Sequence, residues 1–455
     1  MNVTTPDQLT GFHWNVQPAA GEFVQRLLDQ LLAFCPAAVH LRERMIVETG
    51  TRLSDWIDHL EVPDEPGMRE RLMIVGYLHQ PEPAALGCYR HEGGLFPAIV
   101  LTSDGSYALH VKTESVVEVL QAHAVSLPIA GAAWAPLRHV RLAEGHAELW
   151  AVERHGYRGF DIQRISPERV TAILRHDEAF LTRRRAGENS SDGFAHARVL
   201  VDAAVDELGA DLACERFFAA ERAYWQRRNR AAQIQRARQD VLGLGWANHD
   251  HHTYRSSRTY FSQMIAVFER LGFHCRERFY PGHNAGWGAQ VLEHKGTGIV
   301  IFADVDMSEE EIRHDFSHQP FPAEAKRPLG TVGLWCALHG ESFLEAGMHH
   351  LEAMFDFVAV RPQLERLGVQ CMPPFTDYPH LHQCFTVGDR WPVRPQNIDR
   401  LLVAGLITKA QAEQFSQEGA IGSHLEVLER NQGFKGFNQQ GVDRIIAGTD
   451  PRAQH

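Results

Sequence analysis

Glu269-Arg-Leu-Gly-Phe-His-Cys275 returns as Glu365-Arg-Leu-Gly-Val-Gln-Cys371, an offset of 96 positions. Each copy follows a strand-like stretch carrying adjacent histidines, Asp250-His251-His252 and Met348-His349-His350. His251 precedes Gly272 by 21 positions and His350 precedes Gly368 by 18. Self-similarity on this scale marks a duplicated supersecondary unit. In the first copy 248–255 reads as a strand, and Phe261, Met264, Ile265 and Phe268 then make one apolar helix face. Leu271-Gly272 closes that helix, because glycine readily takes the left-handed cap. Strands are expected at 275–280, 287–293 and 299–304, giving the order βαβββ. The second copy has a shorter helix with Pro362, which is tolerated if it sits in the first turn. Its strands are expected at 369–372, 382–387 and 423–430.

Outward from the repeat, residues 166–245 read as a helical connector broken by a polar linker at 187–193 and stopped at Gly243-Leu-Gly-Trp246. Residues 1–165 read as an α+β domain of unassigned function, mainly helical to residue 75. Hairpins are expected at 97–110, turning at Asp104-Gly105, and at 138–154, with a helix at 114–123 between them. The fold class is thus α+β, with paired βαβββ modules at 246–310 and 330–455 forming one domain over 246–455. Arg154-His-Gly-Tyr-Arg-Gly-Phe160 and Asp55-Trp-Ile-Asp58 read as turn and packing chemistry.

Composition excludes several classes. With 45 basic against 57 acidic residues the net charge is −12, which disfavours a nucleic-acid surface. The Arg-rich stretch 222–238 reads as a solvated helix face or a strut between domains. Seven scattered cysteines without a CxxC pair argue against a disulfide scaffold or zinc ribbon. No run of about 20 apolar residues suggests a membrane span, and the first residues lack the pattern of a signal peptide. A cytoplasmic, reducing compartment is expected, with no membrane partner and an undetermined oligomeric state.

The 27 histidines make metal ligation possible. Oxygen chemistry suits a metal held by imidazoles and one carboxylate with positions left open. Two equivalent first strands would each deliver one imidazole, from His251 and His350. In Ser423-His-Leu-Glu-Val-Leu-Glu-Arg430, alternation puts Glu426 on the face opposite Leu425 and Val427. His252 and His349 should point to the other face, and Glu293 is the rival carboxylate.

Residues 248–455 resemble the C-terminal half of 4-hydroxyphenylpyruvate dioxygenases, members of the vicinal oxygen chelate superfamily. The likeness lies in Asp250-His251, in Gly347-Met-His-His350-Leu, in Glu365-Arg-Leu-Gly-Val369, and in the segment Leu425-Glu426 to Asn438. It implies Fe(II) on His251, His350 and Glu426, and a closing helix from about 438 to 447 as a lid beside the metal. It also implies Phe434, Phe437 and Asn438 near the pocket, and Gln383 as a substrate contact. The 43 positions between Gln383 and Glu426 exceed the family spacing, so strand order could differ around the inserted 397–408. A more distant resemblance is to the 2-oxoadipate dioxygenase/decarboxylase family. The implied activity is a non-heme iron dioxygenase that decarboxylates a 2-oxo acid oxidatively. The alternatives are a metal-dependent lyase or isomerase of the same superfamily, or a non-enzymatic ligand-binding protein.

Overall fold

Both copies of the Glu-Arg-Leu-Gly repeat end a helix, with Gly272 at φ +100° and Gly368 at φ +77°. The computed structural model describes residues 13–82, 85, 87–185, 189–281, 285–322, 328–438, 445 and 449–452, and the statements below concern those residues.

The N-terminal half opens with helices α1 (Pro18–Phe34) and α2 (Pro36–Arg44). It continues through β1 (Ile57–Pro63), α3 (Met68–Ile74), β2 (Leu78–Gln80), β3 (Gly87–Arg90), β4 (Ala98–Thr102), β5 (Tyr107–Lys112), α4 (Val116–Ala122), β6 (Leu137–Ala143) and β7 (Ala147–Arg154). These strands form one sheet in the order β2-β3-β4-β1-β5-β7-β6. Four helices follow: α5 (Pro167–Thr182), α6 (Ser190–Leu208), α7 (Ala210–Gln226) and α8 (Arg230–Asp240).

The first C-terminal module is β8 (His249–Ser256), α9 (Phe261–Arg270), β9 (His274–Phe279), β10 (Trp287–Glu293) and β11 (Val300–Asp306). After α10 (Thr331–His339), the second runs through β12 (His350–Met354), α11 (Phe357–Arg366), β13 (Thr376–Tyr378), β14 (Leu381–Phe385) and β15 (Asp389–Trp391). It ends with α12 (Pro395–Val403), α13 (Lys409–Glu418) and β16 (Ala420–Arg430). The sheet order is β13-β14-β16-β12-β8-β11-β10-β9, with β15 pairing on β16. Thus β8 and β12, the first strands of the two modules, lie side by side and antiparallel at the centre.

Alternation along these central strands separates core from site. Tyr254 on β8 and Leu351 and Ala353 on β12 are fully buried in the main core, with Phe218 of α7 and Phe268 of α9. The α9 face of Phe261, Met264, Ile265 and Phe268 has no exposure, and each such side chain is worth about 1.5–3 kcal/mol. His251, Thr253 and Arg255 point to the opposite face.

Several sequence expectations are corrected. The described part of residues 1–75 is mainly helical as expected, but β1 (Ile57–Pro63) interrupts it before α3. Residues 97–110 are no hairpin: β4 pairs parallel to β1, β5 pairs antiparallel to β1, and β1 lies between them. The turn at Gly105 (φ +82°) is real, but long-range pairing overrides the local hairpin signal. Of the expected linker 187–193, residues 187 and 188 lie outside the described residues. Asn189 caps α6 through its side chain, and 190–193 form the first turn of that helix. No strand forms at 369–372, where Cys371 makes one isolated bridge to Thr386. The insertion before β16 folds as α12 and α13, and strand order is unchanged between the two modules. The proposed closing helix at 438–447 lies almost wholly outside the described residues.

The Arg-rich stretch acts as a strut. Arg236 pairs with Glu114, and Arg238 donates both to the Glu48 carbonyl at 3.0 Å and to Gln363 Oε1, so α8 ties the two halves together. All seven cysteines are free, and no helix is long and apolar enough to cross a membrane.

The N-terminal half repeats the topology of the C-terminal half, which its sequence did not reveal. The order β2-β3-β4-β1 matches β9-β10-β11-β8, and the parallel β1/β4 and antiparallel β1/β5 pairings match β8/β11 and β8/β12. The parallel pair β5/β7 corresponds to β12/β16.

Candidate metal centre

Three adjacent strands bring the predicted residues together by register. His251 on β8 lies opposite Glu352 on β12, and Glu352 lies beside Glu426 on β16. His350 stands two residues before Glu352 and therefore on the same face. Atoms of His251, Glu352 and Glu426 lie within 4.8 Å of one another. The Glu352 Oε1 atom is 2.8 Å from His251 Nε2 and 2.6 Å from His350 Nε2, and His350 Nε2 is 3.5 Å from Glu426 Oε2. His251, His350 and Glu426 thus share one locus with a fourth side chain, Glu352, which sequence reasoning missed. The signal was present: His350-Leu-Glu352 places two ligand-type side chains on one strand face at period two.

Each member is held by a partner. Asp250 Oδ2 accepts from His251 Nδ1 at 2.7 Å, leaving Nε2 toward the cluster. Arg430, at the end of β16, fixes that carboxylate with two hydrogen bonds of 2.9 and 3.0 Å. Its third nitrogen, Nη1, donates to the Gly436 carbonyl at 2.6 Å. Thr253 donates to Glu352 Oε1 at 2.8 Å. Gln383 Nε2 donates to Glu426 Oε1 at 2.7 Å, Thr376 donates to Gln383 Oε1 at 2.9 Å, and Asn438 donates to Thr376 Oγ1 at 2.9 Å.

His349 does not turn wholly away, because its Nδ1 lies 2.6 Å from His350 Nδ1. His252 packs edge-on against Phe218, 5.1 Å between centroids, on the core side. Glu293 is not at the centre; it pairs with Lys435 at 3.0 Å and Arg276 at 3.3 Å.

The electrostatics are those of a site short of positive charge. Glu352 is 1% exposed and Glu426 2%. Burial and then the neighbouring Glu352 charge push the Glu426 carboxyl well up. Burial also opposes ionisation of Glu352, but His251 and His350 outweigh it and hold that carboxyl below its usual range. For His251, burial favours the neutral ring, yet Glu352 and Asp250 prevail and push it up to about 9. Glu352 Oε2 is buried with no hydrogen-bond partner.

Glu352 and Glu426 with two imidazoles at hydrogen-bonding range make a donor set that a divalent cation would satisfy, replacing the proton on His251. His251, His350 and Glu426 form the two-His, one-carboxylate pattern suited to iron, and Glu352 is positioned to be a fourth ligand or a base.

A narrow cavity of about 60 Å³ opens onto this cluster. Phe437 forms one wall, edge-on to His251 at 4.9 Å and to Phe302 at 4.9 Å. Gln383 also lines it, as a support for Glu426. Asn438 connects to the centre through Thr376 and Gln383. Phe434 is placed elsewhere: it packs with Leu381 and Leu428, edge-on to His380, farther along the same sheet face than Glu426 and Gln383, and does not line the cavity.

Arg255, 3% exposed, projects into the cavity with Nε and Nη1 lacking hydrogen-bond partners. Its nearest carboxylate, Asp304 at 3.7 Å, is pushed up to about 8, chiefly by burial. Burial thus favours the protonated form of Asp304, which weakens its pairing with Arg255.

No family model matches the chain, and no curated protein matches it. Among solved structures it is similar to a variant of 4-hydroxymandelate synthase from Streptomyces coelicolor, with 13% identity and a TM-score of 0.27. That overlap covers 87% of this chain and 96% of the other. Methylmalonyl-CoA epimerase from Mycobacterium tuberculosis is similar at 13% identity and TM-score 0.23, over 40% of this chain and 88% of the epimerase. A xylose isomerase-like TIM barrel/4-hydroxyphenylpyruvate dioxygenase fusion protein overlaps at 12% identity and TM-score 0.23, over 90% of this chain and 57% of the fusion. Overlaps this distant assign neither a family nor an activity to the chain.

Proposed function

We propose that the chain is a non-heme Fe(II)-dependent oxygenase that decarboxylates a small 2-oxo acid, with His251, His350 and Glu426 holding the iron. The supporting observation is the convergence of two buried carboxylates and two imidazoles on one point, a charge arrangement that is costly without a cation. Iron(II) held there would supply Lewis acidity toward the 2-oxo acid and the redox chemistry of dioxygen activation.

The protein's own contribution is positional. Asp250, fixed by Arg430, sets the tautomer of His251. Gln383 orients Glu426, and Phe437 with Phe302 keeps the cavity dry. Arg255, with two unsatisfied nitrogens, favours an anionic substrate and would bind a carboxylate distal to the iron.

Glu352 gives specific weight to a second reading. With three protein ligands, a six-coordinate ion keeps three positions, enough for a chelating 2-oxo acid and dioxygen. With Glu352 as a fourth, only two remain, and metal-assisted proton transfer by a lyase or isomerase becomes the better fit. Oxygen uptake separates the two. The oxygenase should consume dioxygen and release carbon dioxide in step with 2-oxo acid loss, and His350→Ala should abolish both. Turnover that persists unchanged under strict anaerobiosis would overturn the oxygenase.

A further inference from the structure

The N-terminal sheet repeats more than the topology of the C-terminal one. Asp58 and His59 on β1 stand as Asp250 and His251 do on β8. Asp58 Oδ2 accepts from His59 Nδ1 at 2.6 Å, against 2.7 Å in the C-terminal pair. Arg154 ends β7 as Arg430 ends β16, and it clamps Asp58 with hydrogen bonds of 2.7 and 2.8 Å. Its Nη1 donates to the carbonyls of Tyr157 and Gly159, as Arg430 Nη1 donates to those of Phe434 and Gly436. The segments around Asp58 and Arg154, read from sequence as turn and packing chemistry, are therefore two ends of one relay that aims His59 Nε2.

Register identifies what that nitrogen meets. His59 lies opposite His110, and His110 lies beside Trp150, where the C-terminal sheet has His251, Glu352 and Glu426. Glu61, two residues after His59 and on its face, lies opposite Ala108, whose small side chain leaves room. Glu61 Oε1 is 3.8 Å from His59 Nε2 and 3.5 Å from His110 Nε2. His59 and His110 are 4% and 3% exposed, and neither ring nitrogen of His110 has a hydrogen-bond partner. Trp150, in the position of Glu426, stacks on His110 and closes that side with no further ligand.

We infer that His59, Glu61 and His110 form a second metal centre, a two-His, one-carboxylate site for a divalent transition-metal ion of the zinc(II) or cobalt(II) type. Asp58 plays the part of the carboxylate that orients a ligating histidine. With Glu61 about a third exposed, the ion can enter from solvent and keep a water as its fourth ligand.

Cobalt(II) titration of metal-free full-length protein, followed by its visible absorption and by elemental analysis, tests this. Wild type should bind two ions per chain. Glu61→Gln, which preserves shape, and His110→Ala should each bind one, and Glu426→Ala should retain the N-terminal ion. Combining Glu61→Gln with Glu426→Ala should bind none. A wild type that binds no ion, or a stoichiometry of one or two unmoved by both Glu61→Gln and His110→Ala, would overturn the inference. A site lost in Glu61→Gln but no site lost in Glu426→Ala would sustain it while removing the C-terminal iron reading.

Discussion

Replacing Asp250 with asparagine tests whether the relay behind His251 governs metal affinity. Asp250 Oδ1 accepts from Arg430 Nε at 2.9 Å, while Oδ2 accepts from both Arg430 Nη2 at 3.0 Å and His251 Nδ1 at 2.7 Å. Asparagine keeps one acceptor oxygen and places an N–H₂ group in the other position, donor against donor, whichever way its amide is turned. With the amide nitrogen in the Oδ2 position, His251 can satisfy Nδ1 only by losing its proton there and carrying one on Nε2, the atom that faces the cluster. With the nitrogen in the Oδ1 position, His251 keeps an acceptor but a neutral one, and Arg430 Nε faces a donor. Loss of such an orienting partner costs 10–100-fold in metal affinity, about 1.4–2.8 kcal/mol. Arg430, 5% exposed, loses its counter-charge, and breaking a buried pair can remove about 3–5 kcal/mol of fold stability. Its hydrogen bond to the Gly436 carbonyl limits that loss. The assay is competition with a chromophoric chelator in the Glu61→Gln background, which leaves only the C-terminal centre, with thermal unfolding run in parallel. Affinity within about twofold of the parent, in a variant that remains folded, would refute the reasoning.

The other predictions concern charge, coordination and backbone. Asp304 holds its proton up to about 8 in the folded chain, against the ordinary 3.8 when unfolded. Between those values the folded state binds one more proton, so metal-free protein should lose about 1.4 kcal/mol of stability per pH unit as pH rises. Asp304→Asn, an isostere of the protonated acid, should flatten that slope and raise the melting temperature at pH 8; an unchanged slope in denaturant titrations would count against it. Glu352→Gln should leave oxygen uptake measurable if Glu352 lies outside the iron's coordination shell, whereas total loss of bound iron by elemental analysis would make it a ligand. Gly272→Ala should destabilise the chain by about 1–3 kcal/mol in urea unfolding, since φ is +100° and the new Cβ would lie 2.7 Å from His294 Nε2.

How far the sequence could be read depended on the range of the interactions involved. The duplicated Glu-Arg-Leu-Gly segment revealed the paired modules because helix periodicity and a glycine cap are local, and α9 spans the very residues its apolar spacing implied. Period-two alternation likewise put His251, His350 and Glu426 each on a defined face. The 97–110 hairpin failed because a two-residue turn signal says nothing about a third strand, and β1 enters between β4 and β5 from 40 residues upstream. Phe434 failed because the direction of a turn after a strand is set by what packs around it.

By itself the sequence determined the secondary-structure periods, the glycine caps and the faces on which ligand-type side chains stand. Only tertiary structure decided which strands are neighbours. That placed Glu352 between the two imidazoles, Asp58 against Arg154 across 96 residues, and His59 against His110. The physical reason is that strand register and neighbour choice are set by burial summed over a whole sheet, which no single segment encodes.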